Sequence, residues 1–314
     1  MKTCLVTGGC GFIGSNLVKH LCKNNWKVSV VDNLSSGKLS NIEGVNCETF
    51  ITNFDDQKIL KKIKENKFDI IFHLAAIPSV QYSINNPDIT TDINVTSTIR
   101  LFNAAIGNIK RIVFSSSAAV YGNYNENNIK ESFLKNPISP YAWQKSSIED
   151  ISKIFCSLYN IDIVCLRYFN VYGPFQHGES SYSSVISSWF NNVYKEIPIR
   201  FDGDGEQTRD FVYIDDVIIA NELFANSLIP FKGDSFNIAT GKSISNNDIL
   251  KYFKKDYKIK INYSNSKEGD IKHSCANIEK SKKQVGFKAS VEFNEGFKKT
   301  SAWWKSIQKK GKKC

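Results

Sequence analysis

Residues Leu5 to Gly14, "LVTGGCGFIG", decide how this chain is read. The apolar residues before the glycines read as a buried strand, and "FIGSNLVKHLCKNN" after them carries helical spacing. Between the two lies Gly9-x-Gly11-x-x-Gly14. Glycines let a turn tighten and let backbone approach a ligand closely. A helix that opens straight after such a turn points unpaired N–H groups outward, which suits a pyrophosphate. The next strand, "KVSVVDN", ends at Asp32, 21 residues beyond Gly11, where a carboxylate can accept from a ribose diol. An acid there repels a 2′-phosphate, so NAD is expected rather than NADP. A glycine turn beside an ordinary surface acid is the bland alternative, and the strand–turn–helix–strand order argues against it.

Working outward, short apolar runs alternate with amphipathic helices. "CETFIT", "FDIIFHLAA", "RIVFSSS" and "DIVCLRYFNVYG" read as strands; "QKILKKIKENK", "DINVTSTIRLFNAAIG" and "SPYAWQKSSIEDISKIFCSLYN" read as helices. This is the pattern of an α/β fold, a doubly wound parallel sheet covered on both faces. After Gly173 the pattern loosens into polar loops and shorter elements. Residues 1–173 are therefore expected to form the dinucleotide-binding domain, with 215–240 returning to it. Residues 174–314 should form mainly a smaller substrate-binding lobe.

The chain has 314 residues, 41% hydrophobic and 23% charged. Its eight cysteines are scattered, with no C-x-x-C pair and no Cys/His pattern, so reduced thiols are expected and no metal. No signal peptide or membrane-spanning run is legible, which suggests a cytoplasmic enzyme. Half of the net charge of +10 sits in the last ten residues, at Lys305, Lys309, Lys310, Lys312 and Lys313. A solvated lysine-rich tail accounts for it, and no nucleic-acid or membrane partner is expected.

Tyr141 and Lys145, four apart at the start of a helix, share one face. An ammonium beside a phenol, or a positively charged nicotinamide, should lower the phenol's pKa toward working pH. Tyr263 and Lys267 repeat the spacing without a strand-end hydroxyl upstream. The first pair follows Ser117 by 24 residues.

Taken together, "VTGGCGFIG", "DNLSSGK", "HLAA", "SSSAAVYG", "SPYAWQKSSIE", "LRYFNVYGP", "GDGEQTRDFVYIDDV" and "EGDIKHS" resemble the extended short-chain dehydrogenase/reductase family, nearly end to end. Within it the likeness is to nucleotide-sugar 4-epimerases, above all bacterial ones acting on UDP-N-acetylhexosamines. The resemblance implies a Rossmann-like fold and transient oxidation at C4. Tyr141 takes the C4 hydroxyl proton, directly or through Ser117, and Lys145 completes the trio. The 4-keto sugar turns over and is reduced on its other face. Related dehydratases place Asp-Glu, and decarboxylases a Glu, where this chain has Ala118 and Ala119; without an acid or base there the chemistry should stop at C4.

The same resemblance implies a cofactor site of Gly8, Gly11, Phe12, Ile13, Gly14, Asp32, Asn33, Asn53, Phe54, Leu74, Ala75, Ala76, Asn94, Ser115, Tyr141, Lys145 and Tyr168. For the UDP-sugar it implies Ser116, Ser117, Asn170, Ser184, Arg209, Lys267, Asp270 and Ser274. Arg209 should grip the diphosphate, and Asp270 the uridine ribose. Three positions depart from the family: Lys267 stands for a second arginine, Asn53 for an adenine-contacting Asp, and Pro78 for a lysine. A homodimer is expected through the helices matching Asp92–Ile106 and Tyr141–Leu158. Two other readings stay open, a 4-epimerase of UDP-hexuronic acids and a non-catalytic NAD-binding regulator; the intact Ser117–Tyr141–Lys145 set speaks against the second.

Overall fold

The strands of the computed structural model run, in chain order, β1 (Thr3–Thr7), β2 (Lys27–Asp32), β3 (Glu48–Ile51), β4 (Ile70–His73), β5 (Arg111–Ser117), β6 (Glu126–Ile129) and β7 (Ile163–Tyr168). They continue as β8 (Asn170–Tyr172), β9 (Ile199–Asp202), β10 (Thr208–Tyr213), β11 (Ser235–Ile238), β12 (Ser243–Ser245), β13 (Ile261–Ser264) and β14 (His273–Ala276). The structure describes residues 1–124, 126–178, 184–266 and 271–311.

Seven strands form one parallel sheet in the order β11-β7-β5-β4-β1-β2-β3. Successive strand residues point to opposite faces, and here both faces are apolar. Cys4 and Val6 of β1, Val113 of β5 and Val164 and Leu166 of β7 join one core. Leu5, Ile112, Phe114, Ile163 and Cys165, their alternates, join the other. Helices must cover both sides of such a sheet. The helix Gln57–Lys64 shows how: it buries Ile59, Leu60 and Ile63 and leaves its lysines outward, while the Asp56 carboxylate caps it by accepting from the Lys58 N–H at 2.8 Å. Burying each such side chain contributes about 1.5–3 kcal/mol.

The second lobe is built on the sheet β12-β10-β14-β6, with β8 paired to β10, and on the pair β13-β9. β6 lies in the second sheet although it precedes β7, so the chain visits the second lobe before Gly173; β11, within the expected return at 215–240, lies at the edge of the first sheet. "DIVCLRYFNVYG", read as one strand, is two: β7 in the large sheet and β8 against β10. The helix expected from Asp92 opens with a π-helical turn, Asp92–Thr96, before the α-helix Ser97–Ala105. The switch point of the large sheet, between β1 and β4, opens at the strands' carboxyl ends, where ligands bind in this architecture. Among the described residues, no helix is long and apolar enough to cross a membrane.

Candidate active site

The glycine turn is shaped for backbone rather than side chains. Gly8 sits at φ +69°, and a Cβ there would meet Ala75 backbone at 2.9 Å. At Gly14 a Cβ would lie 2.1 Å from the Gly8 carbonyl oxygen. No side chain caps the helix Phe12–Lys23 behind Gly11, so the first N–H groups, at Phe12, Ile13 and Gly14, face outward without an intrahelical partner. Asp32 stands across this turn. Its Oδ2 accepts from the Cys10 N–H at 2.9 Å and its Oδ1 from the Leu34 N–H at 2.8 Å. The carboxylate is thus fixed from two sides, and each oxygen keeps a lone pair for a diol. A dinucleotide with a free ribose diol fits this cradle.

The rest of the expected cofactor wall divides into surface and support. Asn33 Nδ2 donates to Asn53 Oδ1 at 2.9 Å, so the oxygen expected at an adenine amine already accepts one bond. Phe54 is buried and meets His73 edge-on at 4.8 Å. The N–H groups of Leu74 and Ala75 both donate to Thr7 Oγ1 at 3.1 Å, which shapes the loop leading through Ala76. Asn94, in the π turn, accepts from the Ile77 N–H (2.8 Å) and donates to the Ile77 carbonyl (3.1 Å) and Gln144 Oε1 (2.7 Å). Its side chain therefore braces the β4 loop. Tyr168 likewise turns inward, its hydroxyl donating to Asn221 Oδ1 at 2.9 Å.

At the end of β5 the catalytic trio assembles. Ser139 caps the helix Pro140–Tyr159 by accepting from the Ala142 N–H, and Pro140 at its first turn fixes the start. The Tyr141 N–H donates to Ser83 Oγ at 3.0 Å. These contacts place the phenol beside the Ser117 hydroxyl. Burial pushes the Tyr141 phenol up to about 12, and the neighbouring Ser117 hydroxyl pulls the other way. Burial likewise pushes Lys145 down, to about 8. The ammonium was expected to lower the phenol; instead Lys145 Nζ donates to the Ser115 carbonyl at 2.6 Å and stands 5.9 Å from the Tyr141 ring centroid. Low-dielectric surroundings penalise both charges, and this outweighs their mutual help.

Ser116 was expected at the sugar. Its hydroxyl instead donates to Glu149 Oε1 at 2.6 Å and the residue is 2% exposed, because strand alternation turns it away from the face that carries Ser117. Beyond Ser117, Ala118 and Ala119 open a 3-10 turn whose first N–H, at Ala119, donates to Ser117 Oγ at 3.1 Å. Neither position offers an acid or base.

On the substrate side, β10 brings Arg209 to the joint between lobes. Its Nη1 donates to the Thr208 carbonyl at 2.9 Å. Asn170 Nδ2 donates to the Asp210 carbonyl at 3.1 Å, and Ser274 on β14 is the register partner of Arg209. Ser184 caps the helix Val185–Tyr194 through the Ser187 N–H and donates to Gln176 Oε1. Lys267 and Asp270 lie outside the described residues. Sequence reasoning missed Glu149, Arg167, Tyr121 and Asn237, a buried polar chain beneath the site. One signal was available: Glu149 continues the Tyr141–Lys145 spacing by four more residues.

A glycine cradle, a carboxylate with lone pairs to spare and a Ser–Tyr–Lys trio gather at the carboxyl ends of β1, β2 and β5, the arrangement a dehydrogenase-type site needs. Residues 4–239 match the NAD dependent epimerase/dehydratase family, and the chain belongs to it; NAD is its cofactor. It is 38% identical to a UDP-N-acetylglucosamine 4-epimerase from Methanobrevibacter ruminantium M1, solved with UDP-N-acetylmuramic acid, with a TM-score of 0.92 over 98% of this chain and 99% of that one. It is 32% identical to a UDP-glucose 4-epimerase from Thermotoga maritima, solved with UDP-glucose, with a TM-score of 0.91 over 97% and 99% of the two chains. A UDP-glucuronate 4-epimerase from Thermodesulfobacterium geofontis is 34% identical over 318 residues, 96% of this chain and 95% of that protein.

Proposed function

We propose that this NAD-dependent nucleotide-sugar 4-epimerase interconverts UDP-GlcNAc and UDP-GalNAc, with UDP-Glc and UDP-Gal as slower substrates. The observation that carries the reading is Ser274, a small buried hydroxyl beside Arg209 on the neighbouring strand. A small residue there leaves room for an acetamido group at C2. The Methanobrevibacter UDP-N-acetylglucosamine 4-epimerase, solved with another N-acetylated sugar nucleotide, supports the same choice.

In the reaction, the Ser117 hydroxyl receives the C4 proton and passes it to Tyr141, or Tyr141 takes it directly; the nearness of the Ser117 hydroxyl to the phenol supports this route. Lys145, anchored on the Ser115 carbonyl, holds the strand end at that phenol. Ala118 and Ala119 leave the C5 and C6 positions without a base. Bound NAD supplies the hydride acceptor and donor at C4 and a positive charge that favours the phenolate. Arg209 grips the diphosphate with its guanidinium, and Asn170 stands by it. Lys267 and Asp270 complete the uridine end of this reading. Exposed Trp143, Ile154 and Leu158 on the catalytic helix support a homodimer through that face.

A 4-epimerase of UDP-hexuronic acids is the second reading. The likeness to a UDP-glucuronate 4-epimerase favours it, as do Lys272 and His273 beside Ser274. The test is incubation of the purified protein with UDP-GlcNAc, UDP-Glc and UDP-glucuronate, products read by NMR. Faster conversion of UDP-GlcNAc is expected. Conversion of UDP-Glc with UDP-GlcNAc untouched would reject the pocket reading, and preference for UDP-glucuronate would establish the second.

A further inference from the structure

Two of the three consecutive serines at the end of β5 are held by residues of one helix, Pro140–Tyr159, and the third, Ser117, stands beside Tyr141 of the same helix. The Ser115 carbonyl accepts from Lys145 Nζ at 2.6 Å, and Ser116 Oγ donates to Glu149 Oε1 at 2.6 Å. Tyr141, Lys145 and Glu149 are spaced by fours, so they form one stripe on the helix face toward the sheet. All three are buried, Glu149 most of all at 1% exposed.

Glu149 is itself immobilised. Its Oε1 also accepts from Arg167 Nε at 2.9 Å and its Oε2 from Arg167 Nη2 at 2.7 Å. Arg167 lies on β7 as the register partner of Ser116, so carboxylate, guanidinium and hydroxyl close a ring across helix and two strands. Arg167 Nη1 donates to the Tyr121 hydroxyl at 2.8 Å, and Tyr121 donates to Asn237 Oδ1 at 2.6 Å. Asn237 Nδ2 then donates to the Ile129 and Asn277 carbonyls at 2.9 and 3.1 Å. The strand end is thereby tied to the second lobe as well as to the catalytic helix.

We propose that Glu149 is a positioning residue for the proton transfer: by gripping Ser116 it registers the β5 end against the helix, so that the Ser117 hydroxyl stays beside the Tyr141 phenol. The proposal rests on the epimerase reading of that pair. Ser116 then serves turnover without touching the sugar. A buried ion pair that only stabilised the fold would leave turnover and its pH profile unchanged in a variant that still folds.

The test compares Ser116→Ala, Ser116→Thr and Glu149→Gln in the full-length, NAD-containing protein, on whichever UDP-sugar the wild type converts. Because small misplacements of reacting groups are costly, Ser116→Ala should lose about tenfold in kcat with KM within about twofold. The acid limb of its kcat profile should move to higher pH, since a displaced Ser117 hydroxyl no longer favours the phenolate. Ser116→Thr, which keeps the hydroxyl, should restore most of kcat. Glu149→Gln should lose at least as much as Ser116→Ala; if Arg167 without its counter-charge prevents folding, Ser116→Ala decides alone. Unchanged kcat and pH profile in Ser116→Ala overturns the proposal, and so does a raised KM at unchanged kcat, which would make Ser116 a sugar contact. If the wild type converts no UDP-sugar, the function reading has failed. Amide hydrogen exchange then decides this proposal: faster exchange at residues 115–119 of Ser116→Ala supports it, and unchanged exchange overturns it.

Discussion

Arg209 and Ser274 stand opposite one another on the adjacent parallel strands β10 and β14. Parallel partners place their side chains on the same face, strands being about 4.8 Å apart. The residue proposed to grip the diphosphate and the residue proposed for the C2 pocket are therefore one strand spacing apart, so what fills position 274 should bear on the first sugar ring. Ser274→Tyr should lower UDP-GlcNAc turnover by roughly 5- to 150-fold, because overpacking costs about 1–3 kcal/mol, and should spare UDP-Glc. Parallel kinetics on the two sugars checks this; equal losses on both would remove position 274 from the specificity argument.

Ser117→Ala removes the hydroxyl whose influence lowers the Tyr141 phenol. The phenol then rises, so the acid limb of kcat should shift to higher pH while turnover falls. A pH–rate profile of the variant against wild type reads the direction. A shift to lower pH would contradict that influence.

Tyr141→Phe keeps the packing of the ring and cannot accept a proton. General acid–base catalysis contributes roughly 10²–10⁴-fold, and a loss of that size in kcat is expected, with folding and NAD content retained. Near wild-type kcat would move the base elsewhere.

The purified protein should carry NAD without added cofactor, since the cycle regenerates it. Asp32→Ala strips the Cys10 and Leu34 N–H groups of their acceptor and the ribose of its partner. It should arrive depleted of NAD, as read from absorbance after acid release. A full complement of NAD in the variant would show that Asp32 does not hold the ribose.

His73 is buried between Thr7 Oγ1 (2.7 Å) and Thr98 Oγ1 (2.9 Å), and burial, with the charge of Lys145, lowers its pKa from 6.5 to about 3. The unfolded chain binds a proton below 6.5 that the folded state refuses, so this group's contribution is complete above pH 6.5 and is lost as pH falls toward 3. Between pH 7 and pH 4 the wild type should lose about 3 kcal/mol more than a His73→Gln variant. Urea unfolding of both proteins at the two pH values measures the difference; identical losses would mean that His73 is not the group that titrates.

Local chemistry is what a sequence carries plainly, and the cofactor half of this protein was legible from it. Two-sided apolar strands, the glycine turn, the strand-ending Asp32 and the Tyr141–Lys145 pair are each decided by residues within a few positions of one another. The site beneath them was not. Ser116 and Ser117 look alike in "SSSAAVYG", yet one meets Glu149 and the other Tyr141, because which face of β5 is buried depends on what packs against it. Glu149, Arg167 and Asn237 read as ordinary polar residues until three strands and a helix bring them within hydrogen-bond reach. Asn94 and Tyr168, expected at the cofactor, engage Ile77, Gln144 and Asn221 with their polar atoms. The sequence places a cation near Tyr141; only the tertiary structure buries both groups and sets the ammonium to donate to the Ser115 carbonyl. Residue type and spacing determined which groups the protein has for its chemistry. Long-range packing decided which of them face the ligand, since burial sets both the direction of a side chain and the cost of its charge.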